Sequence, residues 1–356
     1  MSVRAVAACV AVFAVLAVPA AASAAVKVVN LGVPPSGQKQ FGKLPVDVNA
    51  FFPASTTVAA GDSIRFLPVG FHTLDLPAAG GSAVDLLTGH GVTSGSKDAA
   101  GAPFWFNGQP KLGFTPSLQK GLFGKTVTYD GTRRIEGGLP LSEKPKPITV
   151  KFTKPGTFTF YCNVHAGMKG TVKVLGKGRA VPSAAADDAR IKAQVAAAVG
   201  VAKKLGKTTP AADTVSVGAS GKGGVESFAF YPSKLAVKPG TTVTFAMSAD
   251  TLDIPTATTG PGDPEKKPKS YLGKLAASLN ENEFDQAAVY PSDPATGSAE
   301  LTPTLHGNGF WSSGIMDLAA AGKRTATSAK VTFKGPGTYQ FFCMIHPFMH
   351  ATVTVK

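Results

Sequence analysis

The chain has 356 residues, 40 Gly, 27 Pro, 3 Cys and a formal net charge of +14. That length predicts two domains, and so much Gly and Pro excludes a helical bundle and favours short strands with many turns. With three cysteines the chain is no disulfide-dense scaffold, and with no basic-aromatic binding motif nucleic acid is excluded as a partner.

In chain order, residues 1–25 read as an export signal. "MSVR" is a short basic start, "AVAACVAVFAVLAV" an apolar stretch too short to span a bilayer comfortably, and "PAAASAA" a small-residue cleavage site after Ala24 or Ala25. Cys9 falls within the apolar stretch and is set aside. Residues 26–176 carry 16 Lys/Arg against 8 Asp/Glu, residues 177–212 carry 7 against 2, and residues 213–356 carry 12 against 12. The positive excess therefore lies in the first half and the linker. It predicts anionic partners: an acidic protein, an anionic cell surface or lipid headgroups.

An internal repeat follows. "FFPASTTVAAGDSIRF" (51–66) matches "FAFYPSKLAVKPGTTVTF" (228–245). "HTLDLP" (72–77) matches "DTLDIP" (250–255), and "FTPSL" (114–118) matches "LTPTL" (301–305). "VKFTKPGTFTFYCNVHAGMKGTVKV" matches "VTFKGPGTYQFFCMIHPFMHATVTV" in the same order. Runs of period-two alternation bounded by "AAGD", "KPGT" and "GPGT" predict an all-β fold, with two tandem domains at 26–176 and 213–356. Stretches 78–113 and 256–300 lack clear periodicity and read as loops or insertions. Between the halves, the basic linker 177–212 contains a predicted helix over 183–207. Asp187 and Asp188 suit its N-terminal end and Lys203, Lys204 and Lys207 its C-terminal end. Ile191, Val195, Val199 and Ala202 form an apolar stripe that packs on one domain or between both.

Each repeat ends in Cys-x-x-His-x-x-Met: Cys162, His165 and Met168, then Cys343, His346 and Met349. Two equivalent cysteines in different halves predict two separate thiols rather than one disulfide. Thiolate, imidazole and thioether on one turn suit copper, and a second imidazole would complete a Cys-His-His-Met set. His72 and His90 are the candidates in the first half. His72 is favoured because it abuts a well-formed strand, and rigid placement suits a site.

These residues resemble the cupredoxins, the small blue copper proteins such as plastocyanin and amicyanin. The resemblance covers the flanking strands of both halves, not residues 1–25, the linker or the insertions. It implies two cupredoxin-like Greek-key β-sandwiches joined by a helical linker, with a type 1 copper site of His72, Cys162, His165 and Met168 in domain 1. It also implies electron passage by the edge of His165, where small Ala166 and Gly167 would let a partner approach. Members commonly have Asn after the first His, whereas this chain has Thr73, which puts one hydrogen bond around the site in question. In domain 2 the position matched to His72 is Asp250, so the set is incomplete. His306, whose first-half counterpart is Gln119, is the candidate substitute, and His350 is expected to point away. A working blue site, an altered copper site and a metal-free copy all stay open there.

The expected role is an exported electron carrier, in the periplasm or outside the cell, with a redox partner protein of acidic character. A copper carrier, store or sensor is the alternative. An oxidase or reductase ranks lower: the chain has 6 His and no His-x-His, Tyr161 and Phe342 precede the cysteines, and the ligand set leaves no open position. A metal-free surface protein is the remaining reading.

Overall fold

The computed structural model describes residues 25–292, 298–301, 305–318 and 326–356. The export-signal expectation for residues 1–25 lies almost wholly outside them. No helix among the described residues is long and apolar enough to cross a membrane.

Alternation along the strands builds two facing sheets from the first half. One has strand order Phe51–Phe52, Val26–Leu31, Ser63–Pro68, Ile148–Phe152, Thr126–Tyr129. The other has Ile135–Glu136, Asp75–Leu76, Gly156–Tyr161, Lys169–Leu175, Ser55–Ala59. In the cysteine-bearing strand Gly156–Tyr161, Phe158 and Phe160 point inward while Thr157 is exposed, as period two requires. Phe160 is fully buried and meets Phe51 and Phe66 edge-on, with centroids 4.7 and 5.3 Å away. Such aromatic pairs add about 0.5–1.5 kcal/mol each beyond burial. The strand is therefore anchored just before Cys162.

The second half repeats this sandwich. One sheet runs Ser298–Leu301, Ser328–Phe333, Thr241–Ala246, Thr214–Gly221, Val225–Tyr231, and the other Lys234–Val237, His350–Val355, Gly337–Phe342, Thr258–Thr259, Trp311–Ser312. The first of these sheets takes its sixth strand, Val46–Val48, from the first half, with Val225 opposite Val48 and Ser227 opposite Val46.

The linker helix is Ala184–Leu205, capped by the Ser183 side chain, which accepts from the Ala186 N–H at 3.2 Å. Its stripe is buried against both halves: Val195, Val199 and Ala202 share a core with Phe41 and Phe52 from the first half and Val225 from the second. Asp187 does more than suit the helix end, because it is buried in an ion pair with Lys27.

The described parts of the stretches 78–113 and 256–300 are structured rather than plain loops. The first forms most of a hairpin, Leu87–Val92 with Pro110–Phe114. The second carries helices Tyr271–Ser278 and Gln286–Val289. Together they build an apolar core between the halves, with Phe104, Phe106 and Leu112 packed among Leu272, Leu275 and Phe284. The aromatic cluster "FWF" (104–106) was the available sequence signal. Periodicity missed it because these residues pack from irregular backbone.

Candidate metal centre

His72 stands just past the strand Ser63–Pro68. Gly32, on the neighbouring chain end, has φ +105°, and a Cβ there would lie 2.4 Å from Val69 O and 3.1 Å from His72 Cδ2. Only glycine lets the backbone pass so close beneath the ring. On the other side Cys162 ends its strand and the chain turns at once. The Cys162 N–H donates to Met168 O at 3.0 Å, and the Met168 N–H donates to His165 O at 2.9 Å. The turn brings Cys162 and His165 together, with Met168 buried in the same core as Cys162.

Cys162 Sγ lies 3.6 Å from His165 Nδ1 and 4.0 Å from His72 Nδ1, and the two Nδ1 atoms are 3.0 Å apart. Among the described residues these three form the only group of three His, Cys, Asp or Glu side chains whose ligand atoms all lie within 4.8 Å. One ion bound trigonally, about 2.0 Å from nitrogen and 2.3 Å from sulfur, needs its donors roughly 3.4–3.7 Å apart. The observed triangle is within about half an ångström of that, the two nitrogens being the closer pair. His72 Nε2 is buried without a hydrogen-bond partner, so Nδ1 is the only polar atom of that ring with anything to bind. His90 lies instead on the Leu87–Val92 hairpin, its ring against Gly113.

Burial alone would push the Cys162 thiol up, but His165 and His72 outweigh it and hold it well below its ordinary value. Burial alone would lower His165, but Cys162, then Asp253 and Glu226, carry it upward. Each group thus favours the charged form of the other.

Thr73, in place of the commoner Asn, supplies the hydrogen bond that its identity had put in question. Its N–H points at Cys162 Sγ from 3.4 Å, and its hydroxyl accepts from the Asn163 N–H at 2.7 Å and lies 2.8 Å from Asn163 Oδ1. Asn163 Nδ2 donates to Asp75 Oδ2 at 2.9 Å, and Asp75 is held by Arg134 at 2.5 Å. This Thr73–Asn163–Asp75–Arg134 chain ties the two sides of the site together. Sequence reasoning missed Asn163 and Arg134; adjacency to Cys162 was the only signal for the first.

In the second half, the Cys343 N–H donates to Met349 O at 3.2 Å and the Met349 N–H to His346 O at 2.8 Å. Cys343 Sγ is 3.9 Å from His346 Nδ1 and accepts from the Thr256 N–H at 3.4 Å. Two expectations are corrected here. First, the counterpart of His72 is Pro255, not Asp250. Tyr161 pairs with Asp75 and Phe342 with Thr258, which aligns Thr73 with Thr256 and His72 with the residue before it. Asp250 is exposed. Second, His306 does not complete the set. It stacks on Phe104 with centroids 4.8 Å apart, lies 3.7 Å from Asp98, and is in no ligand group with Cys343 and His346. His350 is exposed, as expected. His346 turns its Nε2 to Asp253 Oδ2 at 3.3 Å. Burial alone would lower it, but Asp253 and then Cys343 raise it to about 9.

The edge of His165 does not face open solvent. The residue is 6% exposed, and a Cβ on Gly167 beside it would meet Leu252 of the second half at 3.0 Å. Leu252 is held in place by its N–H, which donates to Glu226 Oε1 at 2.7 Å, and Asn49 of the first half donates to the same oxygen at 3.1 Å. The approach that Ala166 and Gly167 leave open is taken by the chain's own second half.

No family model and no curated protein matches this chain. Among solved structures, an oxidized plastocyanin from Dryopteris crassirhizoma is 23% identical, over 40% of this chain and 99% of its own, with a TM-score of 0.20. A reduced amicyanin variant is 18% identical over 41% of this chain and 86% of its own, TM-score 0.21. A purple cupredoxin from Nitrosopumilus maritimus is 15% identical over 40% and 98%, TM-score 0.19. Each alignment spans less than half of this chain, so the reading of the site rests on its own geometry.

Proposed function

We propose that the chain is an exported copper protein that carries electrons through a type 1 site of His72, Cys162, His165 and Met168. The observation that carries this is the triangle of Cys162 Sγ with the two Nδ1 atoms, 3.0–4.0 Å on its sides. Copper bound there would supply one-electron chemistry with little change of ligands between its two oxidation states. The protein's own part is to hold the donors at this spacing, to keep water out by burial, and to aim the Thr73 N–H at the thiolate. With no position left open for substrate, the site favours outer-sphere transfer over oxidase or reductase chemistry.

The second half has Pro255 where the first has His72, which supports an altered or metal-free site there rather than a second blue one. A carrier needs a donor and an acceptor. We assign one of these roles to an acidic redox protein drawn to the basic first half and linker, where an anionic cell surface would also bind. A copper carrier or store is the second reading, favoured by the soft donors Cys343, His346 and Met349.

Metal analysis with optical and paramagnetic spectra of the chain lacking residues 1–25 tests this. One copper per chain with an intense thiolate-to-copper absorption, cycling reversibly with the metal retained, is expected. Metal lost on each reduction, or no copper at all, would sink the electron-carrier reading.

A further inference from the structure

A cavity of about 1280 Å³ lies between the halves, and both cysteine loops reach it: Val164 and His165 from the first, Ile345 and His346 from the second. It is somewhat larger than the roughly 300–1,000 Å³ that accommodates most small ligands. Its wall is mainly aliphatic and aromatic. Phe71, Leu141 and Phe348 are large apolar side chains left exposed, and all three belong to its lining.

The charge of the wall is the informative part. The chain has 36 Lys and Arg, yet among the described residues none of them lines the cavity, whereas Asp47 and Asp253 do. A hollow with no Lys or Arg disfavours anions: a fatty acid or a phosphate ester would meet Asp47 and Asp253 and only the imidazoles of His165 and His346, whose ring nitrogens already face Cys162 and Asp253. Asp253 is buried. One of its oxygens accepts from the Ile254 N–H at 2.7 Å and the other lies 3.3 Å from His346 Nε2. A carboxylate has about four acceptor sites, so Asp253 has capacity for one more donor. Beside it stands an aromatic wall, with Phe228 against His346 at 4.5 Å between centroids and Phe348 edge-on to Phe228 at 6.4 Å.

We propose that this cavity binds an uncharged, hydroxyl-bearing aromatic molecule of the phenol and hydroquinone class, its hydroxyl donating to Asp253 and its ring against Phe228 and Phe348. His165, whose Nδ1 is turned to Cys162 and His72, is itself one of the residues lining the cavity. A ligand held there lies next to the ring that closes the metal centre. That it serves as the small-molecule electron partner rests on the function proposed above; binding itself rests on the cavity alone.

The full chain, metal-free, is titrated calorimetrically under reducing conditions with trimethylhydroquinone, and separately with 2,4,6-trimethylbenzoate. Saturable binding of one hydroquinone per chain is expected, at least tenfold tighter than the benzoate. Asp253→Asn should weaken it about tenfold, and Leu279→Trp, which narrows the cavity, should weaken it as well. Thermal melts check that each variant folds. Hydrogen exchange of the unaltered chain needs no variant, and the hydroquinone should slow exchange over residues 344–348. No saturable binding, equal binding of the benzoate, unchanged exchange over 344–348, or affinity undiminished in either folded variant would overturn the proposal. Copper content and absorption are read on separate copper-loaded samples, so failure of the metal centre and failure of the cavity are distinguishable.

Discussion

In the first half, the Asn163 N–H reaches Thr73 Oγ1 at 2.7 Å; in the second, the Met344 N–H reaches Thr256 Oγ1 at 2.8 Å. The backbone bonds that close the two cysteine loops agree as closely, and both sulfurs receive a threonine N–H at 3.4 Å. What differs is the residue before that threonine, His72 in one and Pro255 in the other. The loop conformation therefore belongs to the sandwich and needs no second imidazole to hold it. Donor number is decided separately, by one side chain arriving from the opposite loop.

The comparison breaks most completely at His72. His72→Ala should abolish the intense absorption and weaken copper binding by well over 100-fold, more than the 10–100-fold typical of losing a residue behind the ligands. His90→Ala should leave the absorption intact. Visible spectra and a copper titration read both, and a blue His72→Ala protein would refute the ligand set. The converse substitution sharpens the comparison: Pro255→His should raise bound copper from one to two per chain, measured by metal analysis. A count that stays at one would mean that Asp253, by holding His346, keeps the second loop from binding.

The next effect is smaller. Thr73→Val keeps the N–H to sulfur and removes the hydroxyl that ties Asn163 to it. Affinity should fall about 10-fold or less, with the reduction potential shifted, as potentiometry would read. The smallest concerns Glu226, which burial, then Asp253, raise to about 7. A raised carboxyl binds its proton more tightly when folded than when unfolded. Its contribution to stability is thus complete below the unfolded value, about 4.3, and is lost as pH rises through 7. Glu226→Gln keeps the oxygen that accepts from Leu252 and Asn49 and removes this loss. It should melt a few °C above the unaltered chain at pH 8 and nearly with it at pH 4.5. Parallel melting curves at both pH values would contradict the burial of an ionisable group there.

Local features were legible where short-range rules act. The Cys-x-x-His-x-x-Met turns, the alternating strands and the capped helix were all placed from residues alone, the helix to within two residues of Ala184–Leu205. The Pro255 equivalence was not legible, because "HTLDLP" and "DTLDIP" share letters in loops, where insertions are tolerated and register is free to drift. Only the strand pairing of Phe342 with Thr258 fixes it. The covering of His165 was hidden for another reason: Leu252, Glu226 and Asn49 meet across long stretches of chain, and no local pattern encodes such a meeting.

The loan of Val46–Val48 to the second half's sheet has a consequence for how the molecule could be taken apart. A truncation at the linker would strand those three residues without their partner and leave a bare sheet border on the other fragment, an invitation to aggregate. The two halves are thus joined by a shared sheet as well as by the chain. Gene fragments encoding either copy should give insoluble product unless the two are co-expressed.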